Sequence, residues 1–426
     1  MPAVLADHVA RNECEHGKNG DPERRSLREV LESMGFLPAI NGRAREAELP
    51  FRYNRHSCWF VVTSLLYNLL TFLSMHDKCT IKATSGSGSQ KTGASLGASL
   101  YAIPVTIALS GELGAGKTTF LQGFASALGV PGSLTSPTYA LEQRYEMARA
   151  IGAIRERPLS NEFLHLDLYR LTPAQSEQLL HGTEQFSGIR CIEWSERIDL
   201  KRLINEGPVI HVHLTPGGTK EERDITCAFH DMKLPTGEEV TRWRADARLP
   251  QHITDHCEAV AALCELLAKH LIEKGHVVRP GALRAAARIH DLFRFLDFRP
   301  EGHPDGNKHS KDDIAVWESI RASFPGMNHE EACTAFLRKE GYPGIAAIVA
   351  THGLKRPPPA DGTVEQKLLY YADKRVMLDK VVSLDERFAD FSARYGKGQT
   401  SEDHNRWLME AKKTEGELFP DGAPHP

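Results

Sequence analysis

No C-x-x-C pair occurs anywhere in the chain; its eight cysteines (Cys14, Cys58, Cys79, Cys191, Cys227, Cys257, Cys264 and Cys333) are scattered. That scatter argues against a structural zinc site or a disulfide framework and favours a reducing, cytoplasmic setting. A basic surplus is missing too. The formal net charge is −4, so the bulk balance draws the chain to no polyanion, and no basic stripe stands out. Internal repeats are absent. Long apolar runs are scarce, and the single exception is residues 58–75, nearly uncharged and rich in Trp, Phe, Val and Leu. Its length is near the minimum for a membrane span, but Asn68 and several Ser/Thr residues weaken it. It also lies too far in for a plain signal peptide. Three readings follow, in order of preference: a true start at Met75, a packed extension, and a membrane anchor. No membrane association is therefore expected, and residues 1–80 are read as an extension outside the functional protein.

What remains is ordinary in bulk and specific in detail. With 426 residues, 41% hydrophobic and 25% charged, the chain suits two or three soluble domains. Residues 111–118 read Gly-Glu-Leu-Gly-Ala-Gly-Lys-Thr, the phosphate-loop pattern G-x4-G-K-[ST]. The β-branched run at 105–109 predicts a buried strand before it, and Phe120, Phe124 and Leu128 predict a helix after it. A strand turning through glycines into a helix aims backbone N–H groups at one point, which makes an anion site. Gly111, Glu112, Leu113, Gly114, Ala115, Gly116, Lys117, Thr118 and Thr119 are therefore expected to cradle a nucleotide, ATP or GTP. Lys117 faces the β/γ-phosphates, and the Thr118 hydroxyl suits Mg²⁺.

Strands are further expected at 163–169, 188–194 and 208–214, interleaved with helices, giving an α/β P-loop domain over residues 81–235. Residues 84–92 read as a Ser/Gly-rich lead-in, and 236–248 as a polar link. Residues 250–395 carry long helical stretches and form an all-α domain. Residues 396–426 are polar and end in Pro/Gly, so they read as a flexible tail. Two carboxylates near strand ends, Asp167 and Glu193, are candidates for the metal-side and catalytic roles that hydrolysis needs.

The ordered motifs Gly-Glu-Leu-Gly-Ala-Gly-Lys-Thr-Thr-Phe, Thr-Ser-Pro-Thr-Tyr (135–139), His-Leu-Asp-Leu-Tyr-Arg-Leu (165–171) and Ile-Glu-Trp (192–194) resemble the bacterial TsaE family. This is the ATPase subunit of the machinery that makes N6-threonylcarbamoyladenosine at position 37 of tRNA. The resemblance covers roughly residues 84–230. It implies ATP and Mg²⁺ as ligands, Asp167 and Thr118 at the metal, Glu193 as a catalytic carboxylate, and Thr138 in a switch-like loop near the γ-phosphate. It also implies TsaB- and TsaD-like partners and a route to tRNA through that complex. Tyr139 stands where the family usually has Phe, and Ser195 where it usually has Pro; residues 146–161 are expanded.

In the helical half, His256, His290, Asp291, His329, His352 and Asp373 follow the order H…HD…H…H…D. Imidazole and carboxylate together suit Mn²⁺, Fe or similar divalent ions. The order resembles HD-domain metal-dependent phosphohydrolases. By that resemblance His256, His290, Asp291 and Asp373 are primary ligands, with Asp291 also catalytic, and His329 and His352 belong to members holding two metals. Arg294 stands near where the family often has Lys. The reading is thus an α/β P-loop ATPase followed by an HD-type helical phosphohydrolase acting on a nucleotide or small phosphoester. Two rivals stay open: an HD module that senses a nucleotide without cleaving it, and a P-loop small-molecule kinase.

Overall fold

The computed structural model describes residues 77–102, 104–132, 134–137, 140–148, 161–298, 309–395 and 402–424. The run at 58–75 and Thr138 lie outside them. Among the described residues, no helix is long and apolar enough to cross a membrane.

The α/β half is built on one seven-stranded sheet in the order β1-β7-β6-β2-β5-β4-β3. Its centre is parallel: β2 (Val105–Ser110) runs between β5 (Ile189–Glu193) and β6 (Val209–Pro216), with β4 (Glu162–Asp167) beyond β5. Every residue of β2 is buried, which is why its sequence is apolar rather than alternating. The three expected strands correspond to β4, β5 and β6. Three antiparallel strands were not foreseen: β3 (Glu142–Glu146) on β4, β7 (Arg223–His230) on β6, and β1 (Asp77–Ala83) on β7. Each is partly polar, as strands with one wet face are, so none stood out as an apolar run.

Several expectations need correction. β1 begins at Asp77, inside the segment assigned to the extension. Most of the Ser/Gly lead-in is not a linker but helix α1 (Gly86–Ala98), capped by the Ser85 hydroxyl, which accepts from the Gly88 N–H at 3.1 Å. Its small residues serve close packing against α2 (Lys117–Ala127). A Cβ on Gly93 would lie 2.1 Å from the Phe120 carbonyl oxygen, and one on Gly123 1.9 Å from that of Gln90. The polar link is likewise a helix, α3 (Gly237–Asp246), with a Thr236/Glu239 capping box and with Val240 and Trp243 buried. The expected flexible tail contains a 17-residue helix, α10 (Glu402–Leu418), whose Ala411, Thr414 and Leu418 are buried along one face.

The helical half packs α4 (Gln251–Glu273), α5 (Pro280–Ile289), α6 (His329–Lys339), α7 (Pro343–Val349), α8 (Val364–Arg375) and α9 (Leu384–Tyr395) around one apolar core with α3 and α10. The helix expected to carry His290 and Asp291 stops at Ile289. His290 is its cap and Asp291 lies in the turn beyond, so the two side chains are not bound to helical spacing.

The sheet and the helices are joined by buried charge. Arg279, wholly buried, pairs with Asp231 at 2.8 Å and donates to the Ser99 carbonyl at 2.6 Å, while its own N–H donates to Glu365 at 2.8 Å. Tyr101 donates to the other Glu365 oxygen at 2.8 Å and also bonds Thr363. Asp77 accepts from the Gly281 and Ala282 N–H groups at 2.7 and 2.9 Å, a carboxylate set at the α5 N-terminus. Removing one partner of such a network leaves uncompensated buried charge. Arg279→Met is therefore expected to cost about 3–5 kcal/mol in urea unfolding; a loss below about 1 kcal/mol would contradict the role given to it.

Burial pushes the Asp77 carboxyl up to about 6 from the ordinary 3.8, against the pull of those two amides and Arg279. Over that window the folded chain holds a proton that the unfolded chain has released. This contribution is therefore full below pH 3.8 and lost as pH rises through about 6. Asp77→Asn should flatten that part of the stability–pH curve, an effect of roughly 3 kcal/mol at most. Parallel wild-type and variant curves would refute it.

Candidate functional sites

The phosphate loop lies where β2 turns into α2. Gly111, Gly114 and Gly116 all have positive φ (138°, 78° and 93°), a backbone that L side chains rarely adopt. Gly111 has a second reason: a Cβ there would sit 2.4 Å from the Leu214 carbonyl oxygen. Lys117 reaches back to the Gly111 and Glu112 carbonyls at 2.7 and 3.0 Å, with its ammonium 3.6 Å from the centre of the Trp194 ring. Burial pushes its pKa down, opposed by Glu196, Glu193 and Asp167. Leu113 is 73% exposed, whereas Ala115 is buried. Gly114 and Ala115 are braced from β7 by Arg223, which donates to their carbonyls at 3.2 and 3.0 Å.

Register brings the two acidic candidates together. Asp167 and Glu193 are paired neighbours at the ends of β4 and β5, both nearly fully buried. The Thr118 hydroxyl donates to Glu193 at 2.9 and 3.0 Å, while Asp167 accepts from Ser136 at 2.5 Å and from the Tyr169 N–H at 2.9 Å. Sequence reasoning overlooked His165, wholly buried with Nε2 3.0 Å from Glu193 and Nδ1 unpartnered. An N–H at Nε2 orients and stabilises that carboxylate. The alternation of His165 and Asp167 along one strand was the available signal. Nothing in the sequence marked Arg223.

The six helical candidates meet in one place. His256 comes from α4, His290 and Asp291 from the end of α5, His329 from the first turn of α6, His352 from the turn after α7, and Asp373 from α8. Three rings turn Nδ1 to a backbone carbonyl: His256 to Leu378 at 2.9 Å, His290 to Ala287 at 2.7 Å and His352 to Val349 at 2.6 Å. His329 turns Nδ1 to Asp297 at 2.5 Å. Those acceptors fix a proton on Nδ1 and turn each Nε2 inward, where that of His329 also meets the Arg294 guanidinium at 3.2 Å. The Nε2 atoms of His256 and His329 then lie 3.0 and 3.1 Å from oxygens of Asp373 and Asp291, and those of His329 and His352 lie 3.2 Å apart. His290 Nε2 is buried without a hydrogen-bond partner. Neutral rings held this way would set acceptors against carboxylates, an arrangement that a bound divalent ion would satisfy. Asp291 belongs to both triads of this cluster, His256–His290–Asp291 and Asp291–His329–His352.

The family model for "Threonylcarbamoyl adenosine biosynthesis protein TsaE" matches residues 84–225. A TsaE protein of Nostoc sp. is 41% identical over 149 residues, which is 33% of this chain and 82% of that protein. The chain belongs to the TsaE family. A Synechocystis sp. TsaE is 37% identical over 97 residues, 22% of this chain and 55% of that one. A solved structure, Bacillus subtilus YdiB, covers 36% of this chain and 87% of its own at 24% identity, with a TM-score of 0.25, too low to add to the sequence match. The TsaE match holds the phosphate loop, Asp167 and Glu193; the histidine cluster lies beyond it.

The cluster carboxylates are anionic. Burial alone would raise Asp291, but His290 and Arg294 outweigh it and hold the carboxyl well below its usual range; Lys374 and the histidines do the same for Asp373. Glu330, also buried, brings a carboxylate oxygen to 3.9 Å from His329 Nε2 and was not singled out from the sequence. The loop geometry is testable through Gly111→Ala, which should lose about 1–3 kcal/mol from backbone strain alone in denaturant titration. A variant within 0.5 kcal/mol of wild type, as expected of an unconstrained surface site, would contradict the geometry.

Proposed function

We propose that the α/β half is an ATPase serving tRNA threonylcarbamoyladenosine biosynthesis, and that the helical half is an HD-type metal-dependent phosphohydrolase acting on a nucleotide or small phosphoester. The first part rests on the convergence of Thr118, Asp167 and Glu193 beside the phosphate loop, together with the TsaE match. In this reading residues 111–119 and Lys117 hold the phosphates of ATP, Thr118 and Asp167 hold Mg²⁺, and Glu193 orients the attacking water. His165 keeps Glu193 in place, and Thr138 belongs to the switch-like loop. TsaB- and TsaD-like proteins are the proposed partners, giving an indirect route to tRNA. The exposed Leu113 and Tyr169 on the nucleotide face suit such a contact.

The second part rests on one observation: the inward-turned Nε2 atoms of the histidines converge on the buried carboxylates Asp291 and Asp373. His256, His290, Asp291 and Asp373 would hold one divalent ion, of the Mn²⁺ or Fe kind, and His329 and His352 a second, with Asp291 shared. Such ions supply Lewis acidity, making water a better nucleophile and offsetting charge on phosphoryl oxygens. The chain's own groups do the rest: Asp291 and Asp373 anchor the site, Asp297 and the carbonyls orient the rings, and Arg294 can draw in a phosphate.

Each half is tested in the full chain with the other disabled. In a His290→Ala background, Lys117→Ala should cut ATP hydrolysis at least a hundredfold, with or without the partner proteins. In a Lys117→Ala background, phosphoester hydrolysis should vanish on chelation, return with Mn²⁺ or Fe²⁺, and be lost in His290→Ala. An ATPase indifferent to Lys117→Ala would overturn the first reading. Failure to cleave any phosphoester with any divalent ion would overturn the second.

A further inference from the structure

Glu330 follows His329 in the first turn of α6 and is only 8% exposed, yet among the described residues it pairs with no lysine or arginine. A carboxylate buried in that way is costly unless something meets its charge. Oε2 accepts from the Asn328 side-chain amide at 2.8 Å. Oε1 has no hydrogen-bond donor among the described residues. It lies 3.9 Å from His329 Nε2, too far for a hydrogen bond, and the side chain lines the same cavity as Asp291, His329 and His352.

The opposite backbone is cut away to admit this carboxylate. Gly353, directly after His352, lies against it: a Cβ there would be 1.7 Å from Oε1 and 2.3 Å from the carboxyl carbon. Gly353 is not among the glycines of positive φ, so it answers a need for space rather than for conformation. Two ligands on one divalent ion, each about 2.0–2.2 Å from it, are roughly 3 Å apart at a right angle and about 4.2 Å apart when opposite. The 3.9 Å between Oε1 and His329 Nε2 falls in that span, as do the 3.1, 3.2 and 3.6 Å joining Asp291, His329 and His352. The Arg294 guanidinium, 3.2 Å from His329 Nε2, is a protein cation at this corner, and its ion pair with Asp297 gives it a place to withdraw to.

We propose that Glu330 is a ligand of the second divalent ion, beside His329, His352 and the shared Asp291. This deepens the metal-dependent reading of the helical half and rests on it. Each position then offers two imidazoles and two carboxylates: His256, His290, Asp291 and Asp373 at one, His329, His352, Asp291 and Glu330 at the other. Without Glu330 the second position has no carboxylate of its own. A mixed nitrogen and oxygen set of this kind suits Mn²⁺ or Fe²⁺ better than a soft-ligand metal.

The test is equilibrium dialysis of Mn²⁺ against the nucleotide-free full chain, in an Asp167→Asn background that removes the metal carboxylate proposed for the phosphate loop. This parent should bind about two equivalents. Glu330→Gln keeps the side chain's shape and should weaken one of them at least tenfold while leaving the other. Gly353→Ala should reproduce that loss by pushing the carboxyl aside, and Glu331→Gln, at the adjacent capping position, should keep both ions. Metal-free Glu330→Gln should unfold at or above the parent's midpoint, because it removes an unpaired buried charge. A lower midpoint would make Glu330 a folding residue and overturn the proposal. Two equivalents undiminished in Glu330→Gln would overturn it while leaving the metal reading standing, and loss of both ions would overturn its assignment to one position. A parent that binds a single ion overturns the proposal, and a parent that binds none overturns the metal reading with it.

Discussion

The Arg279 guanidinium lies wholly out of water between the sheet and the helices, held by Asp231 on one side and Glu365 on the other. A cation in that position is tolerable only while its partners stay in place, so it ties the two halves into one body. The helices it fixes are the ones that matter. Asp77 and Arg279 hold the N-terminal end of α5, whose far end presents His290 and Asp291; Glu365 lies on the first turn of α8, whose last turn presents Asp373. On the other side Ser95 and Ser99 belong to α1 and its cap, and α1 packs backbone to backbone against the helix that begins at Lys117. Both candidate sites are thus built outward from one charged junction.

The same constraint repeats within each site. Glu193 is buried yet met by Thr118 and His165, and Asp167 by Ser136 and an amide. The histidine cluster differs, because several imidazole Nε2 atoms converge on two buried carboxylates. Lys374 and Arg294 bring protein cations to its edge, and the proposed divalent ions would complete the balance.

Much of this was legible in the chain. The phosphate loop announces itself because its glycines answer a backbone requirement and its lysine a charge requirement. The buried parallel strands are apolar throughout, so β2, β4, β5 and β6 were readable. Edge strands β1, β3 and β7 were not, since a strand with one wet face resembles a polar loop. Composition misled twice more. The Ser/Gly run at 84–92 looked like a linker, but small residues also let α1 approach α2 at backbone distance. The polar end looked frayed, but Trp407, Ala411, Thr414 and Leu418 repeat at helical spacing and bury one face. The metal-type residues were found from their types and order. Their convergence depends on contacts between residues more than a hundred positions apart, such as His256 with Asp373, which a single sequence does not display. Thr138 lies outside the described residues, and its role rests on the resemblance alone.

The central claim is that the shared Asp291 carboxylate lies between two divalent-ion positions, one bounded by His256 and His290, the other by His329 and His352. Crystals of the full chain grown with Mn²⁺ and measured at the manganese absorption edge test it most directly. The account predicts two anomalous peaks flanking Asp291, each within bonding distance of inward-facing Nε2 atoms. A featureless anomalous map over this cluster, with manganese bound elsewhere or nowhere, would contradict it.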